Sequence, residues 1–222
     1  MSSSSFHRVI AIDGPAASGK SSVARALARR LGFVYLNSGA LYRALTWHVL
    51  EQGINPGDPG SVARLIDKTA LSCNLKDNDS RVLINDVDPT PHLRDERVNS
   101  GVSRVSAVPI VRQIVDEQMH DCARRHDVVV EGRDIGSVVF PETPYKFYID
   151  ASPEVRARRR AAEGVLDEIT ARDRADSVRT AAPLVIAKDA EVIDTSDLTI
   201  DAVVDEIIAR LQRKGLIVDL RP

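Results

Sequence analysis

Eight consecutive residues carry the clearest chemistry in the chain. Gly14-Pro15-Ala16-Ala17-Ser18-Gly19-Lys20-Ser21 has the spacing G-x-x-x-x-G-K-[ST] of a phosphate-binding loop. The two glycines allow backbone angles and close approach that a side chain blocks. Successive N–H groups then face inward as an anion nest at the positive end of a helix. Lys20 can reach β- and γ-phosphates, and the Ser21 hydroxyl can ligate Mg²⁺. The triphosphate-binding set is therefore Gly14, Pro15, Ala16, Ala17, Ser18, Gly19, Lys20, Ser21 and Ser22. A chance match in a glycine-rich turn is the alternative. Context weighs against it: Val9–Ile12 reads as a short buried strand, and Val23, Leu27 and Leu31 recur at helical spacing. The loop names a bound triphosphate and leaves its use open.

Other side chains narrow that use. A GTPase needs Asn-Lys-x-Asp to read guanine, and Ala187-Lys188-Asp189 is the nearest run. The chain offers arginines instead, at strand ends and on one later helical segment: Arg43, Arg112, Arg133, Arg158, Arg159, Arg172, Arg174 and Arg179. Transfer of a phosphoryl group onto another phosphate needs no base, because the acceptor oxygen is already nucleophilic. Positioning and charge neutralisation carry such a reaction. The planar guanidinium suits it, since its fork binds phosphate through two parallel hydrogen bonds.

The elements that must hold these residues alternate. After the first helix, Gly32–Leu36 reads as a strand, and Asn37-Ser38-Gly39-Ala40 opens a helix reaching Gln52. Ser61 caps a short helix to Thr69, then Ala70–Leu75 and Arg81–Ile84 flank a polar turn as a small exposed antiparallel insertion. Helices follow over Leu93–Val105 and Pro109–Arg125, the second with an apolar stripe of Ile110, Ile114, Val115, Met119 and Cys122. Asp127–Glu131, Tyr145–Asp150 and Glu191–Ile193 read as buried strands. Helices are expected from Ser152-Pro153, over Val165–Thr180, and at the C-terminus on Ile200, Val203, Val204, Ile207, Ile208 and Leu211. Strand–helix alternation implies a parallel sheet, here of five strands, with helices on both faces and ligands at the strands' carboxyl ends.

Composition sets wide bounds. The chain has 222 residues, 43% apolar and 28% charged, enough for one α/β domain with insertions. A net charge of −2 argues against a general nucleic-acid binder. Cys73 and Cys122 suggest reduced thiols in a cytoplasmic protein. No apolar run approaches the roughly 20 residues of a membrane span; Met1–Ser5 lacks the apolar core of a signal peptide, and Ser2–Ser5 reads as a polar tail.

Five segments resemble bacterial cytidylate kinases, in that family's order and across nearly the whole chain. They are Gly14–Ser21; Asn37-Ser38-Gly39-Ala40-Leu41-Tyr42-Arg43; Glu131-Gly132-Arg133-Asp134-Ile135-Gly136-Ser137-Val138-Val139-Phe140-Pro141; Ala151-Ser152-Pro153-Glu154; and Arg172-Asp173 through Ala182-Pro183-Leu184. The third is much more specific than the phosphate loop. The resemblance implies a nucleoside monophosphate kinase that moves the γ-phosphate of ATP, with Mg²⁺, onto CMP or dCMP in pyrimidine nucleotide metabolism. It implies a monomer; that the protein binds neither nucleic acid nor membrane is the expectation from its charge and its short apolar runs.

Site roles follow from the same resemblance. Ser38 and Arg43 match contacts to the acceptor's phosphate. Ser103 and Arg112 match positions near the cytosine edge, where the sequence alone suggests an ordinary helix serine and a surface arginine. Arg133 matches a phosphate contact. Asp134 matches the cytosine reader, its carboxylate accepting from the N4 amino group where uracil's carbonyl is repelled. A helix cap or Asx turn is the plain alternative for Asp134. Arg172 and Asp176 match sugar contacts, and Arg179 an arginine of the same site; their i, i+4, i+7 spacing also suits a salt-bridged exposed face. Arg158 and Arg159 resemble lid arginines that meet the transferring group. Lys20, Arg133, Arg158, Arg159 and Arg172 form the catalytic set. Ser21 ligates the metal directly, and Glu131 orients a Mg²⁺ water or is a plain strand-end carboxylate.

Two departures stand out. Asn37 occupies a position that is usually acidic in the family, and the stretch 161–171 is shorter than in many relatives. The expected layout is a core of residues 1–37, 101–152 and 181–222, a monophosphate-binding region over 38–100, and a short lid over 153–180.

Overall fold

The computed structural model describes residues 7–76, 78–162 and 184–217. Its strands are β1 (Val9–Asp13), β2 (Val34–Asn37), β3 (Leu71–Lys76), β4 (Asp79–Ile84), β5 (Val128–Gly132), β6 (Tyr145–Asp150) and β7 (Glu191–Asp194). They form one sheet in the order β3-β4-β2-β5-β1-β6-β7. The sheet therefore has seven strands where five were expected. The additional pair is the β3–β4 hairpin, which extends the sheet because Leu71, Val82 and Ile84 bury one face of it.

The described residues of His7–Tyr35 and His126–Pro222 make one compact unit. In it β1 runs parallel to both β5 and β6, and β6 runs parallel to β7. Every residue of β1 and β5 is buried, as expected for central strands rich in Val and Ile. Helices α1 (Lys20–Leu31) and α7 (Ile200–Arg213) pack together on this sheet. Val23 and Leu27 of α1 meet Val203, Val204, Ile207 and Leu211 of α7 in a core shared with Ile10, Ile12, Phe147 and Ile149. Truncating such a residue, as in Leu27→Ala, costs about 2–5 kcal/mol. Ile200, placed in the apolar stripe by its spacing, is instead 48% exposed at the first turn of α7. A further helix of this unit is α6 (Pro153–Ala162), with Ser152 Oγ accepting from the Val155 N–H.

Leu36–Arg125 forms a second unit. Here α2 (Ser38–Glu51) packs against α3 (Pro59–Ile66), α4 (Glu96–Val105) and α5 (Pro109–Ala123). Asp58, rather than Ser61, caps α3: its Oδ1 accepts from the Gly60 and Ser61 amides. A short 3-10 turn, Thr90–His92, precedes α4, which begins three residues later than expected. The buried line of α5 is Val111, Val115, Met119 and Cys122, with Ile110 and Ile114 half-buried beside it. Pro109 sets the start of that helix, so the register follows from the first turn. The expected helix over Val165–Thr180 lies outside the described residues.

Candidate active site

The phosphate loop joins the end of β1 to α1. Helix α1 starts on Gly19, which is left-handed (φ 90°) and supplies no side-chain cap. Its first amides are thereby left to an anion rather than to a capping side chain. Gly14 is needed for a different reason: a Cβ there would collide with the Ile149 carbonyl. The Lys20 ammonium donates to the Pro15 carbonyl at 2.8 Å, which draws the side chain back along the loop.

Three side chains meet at the loop's inner edge. Glu131, on β5, is 3% exposed. Its Oε2 accepts from the Ser21 hydroxyl at 2.8 Å and its Oε1 from the Tyr35 hydroxyl at 2.7 Å. Tyr35 in turn lies 4.7 Å beneath the Arg25 guanidinium. Ser21 and Glu131 are thus brought together across 110 residues of chain, as hard oxygen donors of the kind Mg²⁺ takes.

Beyond Gly132 the chain forms Arg133, Asp134 and a π-helical turn, Ile135–Val139, that the sequence did not suggest. Asp134 is buried and takes the N-cap position, yet its side chain makes no capping hydrogen bond. Asp13 does that instead, its two oxygens accepting from the Ile135 and Gly136 amides at 2.8 Å each. Burial pushes the Asp13 carboxyl up to about 6, against the pull of those two amides, with Asp134 raising it further and Arg133 lowering it. A raised folded-state value means the folded chain holds this proton longer than the unfolded chain does. Its contribution is therefore full below about pH 4 and lost as pH rises through about 6, roughly 3 kcal/mol in all. In urea unfolding of wild type and Asp13→Asn, the stability difference between the two is expected to move against wild type by about that amount as pH rises from about 4 to about 7.

The arginines of α6 turn to the loop from outside. Arg159 donates to the Ser18 carbonyl at 3.0 Å, to Thr195 Oγ1 at 3.1 Å and to the Thr195 carbonyl at 2.8 Å. Arg156, one turn earlier, donates to the Ala16 carbonyl at 3.2 Å. Arg158 is exposed. Sequence reasoning passed over Arg156 and Thr195. The i, i+3 spacing of Arg156 and Arg159 was available as a signal, whereas Thr195 is visible only through its buried contact with Ser18, 177 residues away. Beside this contact lies a cavity of about 320 Å³, lined by Ser18, Ser22 and Val23 on one side and Arg159, Leu198 and Ile200 on the other.

In the second unit, Ser38 is buried as the first residue of α2. Asn37 caps that helix, its Oδ1 accepting from the Ala40 amide at 2.9 Å, which answers what the amide side chain does at this position. Arg43 folds back over the helix start, donating to the Gly39 carbonyl at 2.9 Å and to Asn99 Oδ1 at 3.4 Å. A Cβ on residue 39 would meet its guanidinium, so Gly39 makes room for it. Arg112 is 7% exposed, not a surface residue, and its guanidinium lies 5.6 Å from the Tyr42 ring. Burial of so large a cation requires partners and reads as recognition or scaffold, not as a solvated face. Ser103 is half-buried on α4. Arg172, Asp176 and Arg179 lie outside the described residues.

Comparison with known proteins identifies the family. Residues 10–213 match the cytidylate kinase family model. A cytidylate kinase of Mycobacterium leprae is 44% identical over 94% of this chain and 98% of its own length. Those of Pelotomaculum thermopropionicum (44%, covering 91% and 95%) and Corynebacterium efficiens (45%, covering 90% and 92%) are similar to it to the same degree. A match of that extent, over a chain whose phosphate loop and Gly-Arg-Asp turn sit at the ends of adjacent parallel strands, means that the chain belongs to the cytidylate kinase family.

Proposed function

We propose that the chain is a phosphotransferase that moves the γ-phosphoryl group of ATP onto CMP or dCMP, giving CDP or dCDP by in-line transfer in pyrimidine nucleotide metabolism. The observation that carries this reading is Asp134, a buried carboxylate at the end of β5 on the Gly-Arg-Asp turn, whose side chain does not cap the turn that it opens. Such a group accepts well from an amino group and poorly tolerates a carbonyl in its place.

The remaining roles divide by chemistry. The amides of Gly14–Ser22 hold the donor's phosphates, and Lys20 neutralises the charge that develops on the transferring group. The cavity beside Ser18 and Arg159 suits the donor's base, with apolar walls and a few polar atoms. Ser38, Arg43 and Arg133 hold the acceptor's phosphate, Ser103, Arg112 and Asp134 its base, and Arg172, Asp176 and Arg179 its sugar side. Arg158, Arg159 and Arg172 complete the charge on the transferring group. Ser21 and Glu131 would hold a Mg²⁺ that arrives with ATP, the hydroxyl as a ligand and the carboxylate by way of water, and the metal would supply charge to screen the repulsion between donor and acceptor phosphates. The monophosphate-binding region over 38–100, the lid over 153–180, a monomeric state and a cytoplasmic location belong to the same reading. Among the described residues no helix is long and apolar enough to cross a membrane.

The test is a coupled assay of ADP release with CMP, dCMP, UMP and AMP in turn. CMP or dCMP is expected to be used fastest. Faster turnover of UMP than of CMP would sink the assignment of Asp134. Nucleotide binding without acceptor-dependent turnover would point to a nucleotide-gated binding protein.

A further inference from the structure

We infer that Asp13 is the positioning residue for Asp134, so that selectivity among pyrimidine acceptors depends on a carboxylate that binds the turn through its backbone amides. The inference rests on the proposed role of Asp134 as the base-reading group.

The geometry on the amide side leads there first. Asp13 is buried at the end of β1, opposite Gly132 of β5. Its Oδ1 accepts from the Ile135 N–H and its Oδ2 from the Gly136 N–H, both at 2.8 Å and across more than 120 residues of chain. These are the first two amides of the turn that Asp134 opens. A residue at the N-cap ordinarily satisfies such amides with its own side chain. Asp13 takes them over, which leaves the Asp134 side chain to other partners.

The other side of the turn is closed as well. A Cβ on residue 136 would lie 3.1 Å from Lys146 Cδ, 3.2 Å from Lys146 Cγ and 3.4 Å from Asp13 Oδ2. The backbone at Gly136 is therefore wedged between the Asp13 carboxylate and the hydrocarbon stem of Lys146. Lys146 is itself buried and tied, donating to the Pro141 carbonyl at 2.6 Å and to Asp189 Oδ2 at 2.8 Å. The turn has little room on either side. Arg133 and Asp134 precede the pinned amides directly, so a displacement of those amides moves both.

The experiment measures kcat and KM for CMP, UMP and ATP in wild type, Asp13→Asn, Asp134→Ala and the double variant. Asparagine keeps the shape of the side chain but turns one acceptor into a donor that faces an N–H. One hydrogen bond is lost and one repulsion is added. Asp13→Asn is expected to raise KM for CMP about tenfold and to lower the CMP:UMP preference with it, while KM for ATP stays within about twofold. Because Asp13 acts through Asp134, the double variant is expected to be no less selective than Asp134→Ala alone. Gly136→Ala, which crowds the turn from the Lys146 side, is expected to produce the same split and serves if Asp13→Asn does not fold. A CMP-selective wild type with equally selective Asp13→Asn and Gly136→Ala variants overturns this inference alone, as does an additive loss in the double variant. A wild type that does not prefer CMP to UMP overturns the reading of Asp134, and this inference with it.

Discussion

Lys20→Ala is expected to lower kcat by about a thousandfold, because in the proposed function it removes the loop cation that neutralises the transferring group. The side chain is buried to 7% exposure and is held along the loop by its hydrogen bond to Pro15. Its charge is therefore already held at the phosphate loop in the free chain. The folded state loses the hydrogen bond to the Pro15 carbonyl, about 1.5–3 kcal/mol, and the variant should still unfold cooperatively. Steady-state ADP release at saturating ATP and CMP, with a thermal melt as control, checks both halves. A kcat within about threefold of wild type would remove Lys20 from the catalytic set.

Asp134→Ala is expected to lower kcat/KM for CMP about a hundredfold, with KM for ATP within about threefold of wild type. The asymmetry follows from position. Asp134 stands after β5 on the Gly-Arg-Asp turn, while the donor's phosphates are assigned to the loop after β1. The backbone turn itself is held by Asp13, so removing the Asp134 side chain leaves its scaffold intact. Asp134→Asn refines the test: the amide can donate to a carbonyl, so activity on UMP should rise relative to CMP. Equal losses for both nucleotides would mark Asp134 as structural.

Much of this protein is local and was legible from residues close in sequence. The phosphate loop is one such feature. Its strand, its two special glycines and its helix occupy Val9–Leu31, and each is determined by neighbours within a few positions. The starts of α5 at Pro109 and of α6 after Ser152, and the amphipathic face of α7, are of the same kind. Resemblance extended this reach to Arg133 and Asp134, because their motif is contiguous too.

What the sequence could not show depends on segments far apart in the chain. Asp13 reads as the last residue of a strand until Ile135 and Gly136 are beside it. Glu131 is a strand-end carboxylate until Ser21 and Tyr35 close on its two oxygens. Thr195 has no signal at all before the Ser18 carbonyl reaches it. Arg112 looks solvated on a helix whose exact buried line is decided by packing within its unit. The sheet's seven strands follow the same rule, since an antiparallel hairpin carries its own turn but not the identity of the strand it will lie against. Backbone conformation answers to sterics and hydrogen bonds over a few residues, so the sequence by itself determines the elements and the motifs on them. Burial, and the partner of each polar group, answer to which elements are adjacent, and only the tertiary structure decides that.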